Sequence, residues 1–167
     1  MRIGTGAGLV VCALVLGIIG GLGWGWLRPA YVGTVAHGGL AVDQAASPAN
    51  VEFAALGWFS IITSLIGAVL AALAVRQSAR GRSSGGVGAL VWLVLCVIAS
   101  VCTVDVIGNA LVGALQPNDL ESLADGETLA VVPPVRLGVA WLVGPFVAAL
   151  SYWTANLLAI FSEEDAD

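Results

Sequence analysis

Apolar positions along this chain fall into four long runs, at about 6–27, 53–75, 87–115 and 137–161. An α-helix needs about 20 such residues to cross the roughly 30 Å hydrocarbon core of a bilayer. Each run therefore predicts a transmembrane helix, and the third is longer than a crossing requires. The polar stretches between them form two longer loops, 28–52 and 116–136, and one short turn, 76–86. This pattern predicts an all-α four-transmembrane-helix bundle, a single membrane domain over residues 1–167. The first run reads as a retained helix rather than a cleaved leader. Only Arg2 precedes it, it is too long, and no small-x-small site follows closely. Leu9-Val10-Val11-Cys12 is a poor lipoprotein box, because Val11 is bulky where a small residue is needed.

Within the longer loops the pattern turns β-like. Tyr31–Ala36 and Leu40–Val42 flank a Gly-containing connection at His37-Gly38-Gly39, a hairpin signal. In the second loop Asn118 is placed to cap a helical turn over Leu120–Leu123. Asp125-Gly126 marks a turn and Thr128–Val132 a third strand before Pro133-Pro134. The expectation is a small strand-containing cap on the extracytoplasmic side, too small to be a domain of its own.

Composition agrees with lipid as solvent. Hydrophobic residues make up 59% of the chain and charged residues 10%, against roughly 25% charged in a soluble domain whose surface must be wet. All six basic residues are arginines and the net charge is -5, which leaves no basic stripe for nucleic acid. Arginine placement sets direction. Arg76, Arg80 and Arg82 crowd the short turn and Arg2 the amino end, while Arg28 and Arg136 fall on the other side. The prediction is a membrane protein with both termini cytoplasmic, and the arginine bias fits a GC-rich bacterial genome.

Small residues recur every four positions in two spans: Ala13, Gly17, Gly21 and Gly25 in the first, and Ser60, Ser64, Ala68 and Ala72 in the second. Such stripes let helices approach closely in lipid, so they are the candidate packing faces, within the bundle or against a partner. Gly6–Val11 and Gly86–Val91 open the first and third spans similarly, which leaves an internal duplication open. Pro145, after Gly144, predicts a kink in the fourth span. Trp24, Trp26, Trp58 and Trp141 read as one aromatic belt and Trp153 as an anchor at the other interface.

Asp105 is the most informative residue, the sole acid inside a predicted span, with Asn109 one turn on along the same face. Counted from Val87 it lies roughly 27 Å along the helix axis, near the level of Arg28 and Arg136. An ionisable group inside a span marks a candidate site, and this one lies near the outer boundary, where hydration is partial. These four residues form the candidate polar cluster, read either as a hydrogen-bonded group fixing helix register or as a solute site at an outer mouth. Cys12, Cys96 and Cys102 read as small core residues. His37 is the sole histidine and reads as a turn residue, since metal sites need several convergent ligands. No catalytic constellation, metal site or cofactor motif is present in the sequence.

The order Trp24-Gly25-Trp26-Leu27-Arg28-Pro29, a strand-like loop, Glu52-Phe53-Ala54-Ala55-Leu56-Gly57, an arginine- and glycine-rich turn at Arg76–Gly86 and a final span from Trp141 to Tyr152 resembles a family of small actinobacterial four-helix membrane proteins of unassigned function. The second outer loop is longer and more acidic than that pattern. The resemblance implies the topology and an actinobacterial plasma membrane, and carries over no site residues. The functional expectation is a non-catalytic accessory, assembly or scaffolding component of an envelope or respiratory complex, partnered by lipid and by another membrane protein or itself. The alternative is a small transporter or channel, as a single chain or an oligomer, with Asp105 near its outer mouth.

Overall fold

The computed structural model describes residues 3–36, 39–81, 86–116 and 125–164. Four helices carry the fold: α1 Ile3–Leu27, α2 Val51–Ala79, α3 Gly86–Leu115 and α4 Val143–Glu164, the last preceded by a 3-10 segment at Gly138–Leu142. Each is long and apolar enough to cross a membrane. Their outward residues are apolar too: Val11, Leu14, Val15, Ile18, Ile19 and Leu22 all lie exposed along α1. A continuous exposed apolar band of this kind is a lipid surface. The chain is a multi-pass integral membrane protein.

Neighbours across the bundle fix the helix directions. A methyl group built on Gly17 falls 2.8 Å from Thr103 Cβ, one on Gly21 2.8 Å from Ile107 Cβ, and one on Gly25 2.9 Å from the Gly108 carbonyl oxygen. Both helices advance together along this seam, so α1 and α3 run parallel. The small-residue stripe is what lets them touch at backbone distance. By contrast Trp24 meets Ala55 and Phe59 of α2 while Gly20 meets Ile62 and Ile66, so α1 and α2 run antiparallel. The most extensive contacts are α1 with α3 and α2 with α4. The hairpin partners α1–α2 and α3–α4 close the ring.

The α2 seam lies one position away from the expected stripe. Ser60, Ser64 and Ala68 are half-buried and Ala72 is exposed. Close approach instead runs through Thr63 and Gly67, where a methyl group on Gly67 would meet the Gly144 carbonyl oxygen at 2.5 Å. Thr63 hides its hydroxyl by donating to the Phe59 carbonyl at 2.9 Å, so a polar residue serves in the buried seam. Pro145 produces no mid-helix break. It stands in the first turn of α4, where its missing N–H costs no hydrogen bond.

Three strands cap one end: β1 Tyr31–Ala36, β2 Gly39–Val42 and β3 Thr128–Val131. Their order is β2-β1-β3 with both pairings antiparallel; Thr34 lies opposite Ala41 on one side and Thr128 on the other. Gly33 and Val35 of the central strand are buried while Thr34 between them is exposed, the alternation of a sheet with one covered face. Directly after the edge strand β2, the Asp43 carboxylate accepts from the amides of Ala45 and Ala46 at 2.9 and 3.1 Å, a local turn that stops the ladder. The predicted turn at Asp125-Gly126 is present, with Gly126 at φ +92° and its N–H donating to the Val35 carbonyl at 2.8 Å. His37 and the Asn118 cap lie outside the described residues, as do Arg2, Arg82 and the side chains of the acidic tail.

Candidate functional site

The polar site is built where α1 ends. Trp24 is fully buried, which corrects its assignment to the aromatic belt. Its indole N–H donates to the Ala55 carbonyl at 2.9 Å, and its ring meets Phe59 edge-on at 5.1 Å. Gly108 of α3 lies so close that a Cβ there would enter the ring edge. The indole thus fills the space between three helices, which the neighbouring Trp26, 85% exposed, does not. Trp58 and Trp153 are exposed.

Arg28 extends the last turn of α1, its amide donating to the Trp24 carbonyl at 3.1 Å. It is 6% exposed, with its guanidinium carbon 4.7 Å from the centre of a Trp24 ring, a cation–π contact. One terminal nitrogen donates to Asn109 Oδ1 at 2.8 Å and the other to the Pro133 carbonyl at 2.5 Å. Asn109 then donates from Nδ2 to Asp105 Oδ1 at 2.6 Å and to the Asp105 carbonyl at 3.0 Å. A guanidinium only donates and a carboxylate only accepts, so an amide between them presents oxygen to one and nitrogen to the other. Burial pushes the Arg28 guanidinium below its ordinary range, and the Asp105 carboxylate opposes that shift. Arginine keeps its charge regardless.

Three of the four predicted cluster residues therefore meet, in the order Arg28–Asn109–Asp105. Arg136 does not join them; it is exposed and, among the described residues, makes no hydrogen bond or ion pair. What sequence reasoning missed is Pro133. Its carbonyl lies on the segment linking β3 to α4, and through it one arginine ties the ends of α1 and α3 to the cap.

Position matters as much as connectivity. Asn109 is exposed and Asp105 half-buried, on the perimeter of the bundle rather than in its core. Among the described residues, Asp105 accepts side-chain hydrogen bonds from Asn109 alone, which leaves acceptor capacity on the carboxylate. The inward stripe of α3 below it is Val104, Val101, Val97 and Leu93, all fully buried, interrupted by Ser100 packed on Gly17. Among the described residues, Ser100 is the only polar side chain buried on α3. Cys12 is exposed, against the expectation of a core residue, because the inward stripe of α1 is Leu9, Ala13 and Gly17; Cys96 is buried and Cys102 half-buried.

No family model, curated protein or solved structure matches the chain.

Proposed function

We propose that this chain is a non-catalytic accessory or assembly component of the plasma membrane, with both termini cytoplasmic and the strand cap outside, which associates with another membrane protein through the Asp105–Asn109 edge of α3. The single observation that carries this reading is the placement of that edge. A carboxylate and an amide stand on the outer face of a helix that passes through hydrocarbon. Polar groups on a lipid-facing edge, even near the outer boundary, are costly unless another group meets them, and cross-helix hydrogen bonds are a recurring adhesive between membrane helices. The resemblance to small actinobacterial four-helix membrane proteins fits the same setting. A second reading, an oligomeric transporter, draws on the same edge: between protomers, Asp105 would line a path that the closed interior of one bundle does not offer.

Affinity capture of the tagged full chain from its native membranes in mild detergent tests the proposal. The expected result is a partner recovered in stoichiometric amount. Asp105→Ala is expected to remain inserted yet recover about five- to tenfold less partner per chain, the size of one cross-helix polar contact in lipid. Recovery of the chain alone would sink the accessory reading. Recovery only of further copies of itself would favour the transporter reading instead.

A further inference from the structure

Donors and acceptors on the polar edge of α3 are unequally used. Asn109 directs both amide hydrogens to Asp105, reaching Oδ1 at 2.6 Å and the main-chain carbonyl at 3.0 Å, and its own oxygen accepts from Arg28 at 2.8 Å. A carboxamide has two donor hydrogens, so this one has nothing further to donate. Asp105 differs. Its Oδ1 is engaged, whereas Oδ2 has no partner among the described residues. The buried polar side-chain atoms without a partner there are Arg28 Nε, Ser100 Oγ and Tyr152 OH. Asp105 Oδ2 is not among them and so opens at the bundle surface. What remains free on this edge is acceptor capacity alone. Charge, by contrast, is already balanced. Arg28, Asn109 and Asp105 form one continuous network holding one cation and one anion. A second cation would leave that network with a net charge beside hydrocarbon, which is costly; a neutral donor would not.

We infer that the Asp105–Asn109 edge receives a membrane-spanning helix of a partner that presents a neutral hydrogen-bond donor, an amide or hydroxyl side chain, to Asp105 Oδ2. This rests on the reading of that edge as a protein contact and adds the chemistry of what meets it. A helix offering only acceptors would set oxygen against oxygen. Asp105 also stands in an outward stripe that gives the partner helix its course. Val91, Leu95, Ile98, Cys102, Asp105 and Asn109 follow one another at alternating intervals of four and three residues, each exposed or half-buried. That spacing keeps side chains facing a second helix laid along the first. Cys102, a free cysteine one turn inward of Asp105, lies on the same course.

The experiment needs no native partner. The purified full chain is placed in phosphatidylcholine vesicles with a synthetic leucine–alanine transmembrane helix that carries one variable residue and, one turn away, a cysteine. Mild oxidation traps the complex as a disulfide, which mass spectrometry locates. The expected result is an adduct at Cys102, about five- to tenfold more from an asparagine helix than from a leucine helix, the size of one cross-helix polar contact. An arginine helix is expected to give no more adduct than the asparagine helix. Asp105→Ala is expected to reduce the asparagine adduct to the leucine level. Equal adducts from the asparagine and leucine helices would overturn the inference and leave the carboxylate to water. So would an arginine helix several-fold ahead of the asparagine helix, or an asparagine adduct unchanged by Asp105→Ala. The two readings fail separately. A partner captured from native membranes alongside equal asparagine and leucine adducts removes this inference alone. An asparagine preference without any captured partner removes the accessory reading and leaves the donor chemistry of the edge standing.

Discussion

Gly108→Val is expected to destabilise the bundle by about 3 kcal/mol or more, read by unfolding in mixed detergent micelles. The position offers no room for a side chain, because even a single Cβ there would enter the Trp24 ring edge. The obstacle is the ring of a fully buried residue wedged against Phe59 and Ala55, not a flexible tip able to swing away. Overpacking a core typically costs about 1–3 kcal/mol. Moving this indole also breaks its hydrogen bond to the Ala55 carbonyl, and leaving that buried group unpaired adds roughly 1–3 kcal/mol. Gly113 lies on the same helix with nothing within 4 Å of its Cβ position. Gly113→Ala is therefore expected to be neutral or to gain up to about 1 kcal/mol from helix propensity. Equal effects at the two positions would mean that Trp24 does not sit against Gly108.

The second large effect is expected at Arg28. Arg28→Met keeps most of the side chain's length and removes the charge. It takes away the donors that serve Asn109 Oδ1 and the Pro133 carbonyl, along with the contact over Trp24. Hydrogen bonds to a charged group are worth about 1.5–3 kcal/mol each, and removing one partner of a buried charged pair about 3–5 kcal/mol. Since Asn109 is exposed and Asp105 only half-buried, a loss near the lower figure, about 3 kcal/mol, is expected. Arg28→Lys should recover little of it, because an ammonium does not reproduce the planar fork that reaches two acceptors. Arg136→Met, at an exposed position, should change stability by less than about 0.5 kcal/mol. An Arg28→Met variant as stable as the unaltered chain would remove the link between cap and bundle on which this account depends.

Both effects bear on how much of the molecule is legible in the chain. Span positions follow from hydropathy alone, and the strands at Tyr31–Ala36 and Thr128–Val131 follow from β-prone runs bounded by Gly and Pro. Asp105 and Asn109 announce themselves as polar residues one turn apart in an apolar helix. Which side of each helix faces inward is harder to read, because helices apolar all round carry little amphipathic signal. The α1 stripe is marked by three glycines at four-residue intervals, and these are the positions that approach α3. The α2 stripe is displaced by one position because Thr63, with its hydroxyl satisfied internally, packs as well as a small apolar residue. Trp24 at a helix end beside Arg28 has every local mark of an interfacial anchor. Only Gly108, Ala55 and Phe59, brought from two other helices, show that its ring belongs inside. Pro145 reads as a kink when the span is taken as one helix, whereas the 3-10 segment before it makes it a first-turn residue.

The apolar residues along α1 and the polar edge of α3 thus separate two kinds of bundle surface, one facing lipid and one proposed to face protein. Val106, adjacent to Asp105, is exposed, as is Ile19 on the outer face of α1. A photo-reactive amino acid introduced at either position and activated in native membranes reports what touches it. The account predicts a discrete protein adduct from position 106 and lipid adducts alone from position 19. Lipid adducts alone from both positions would contradict it.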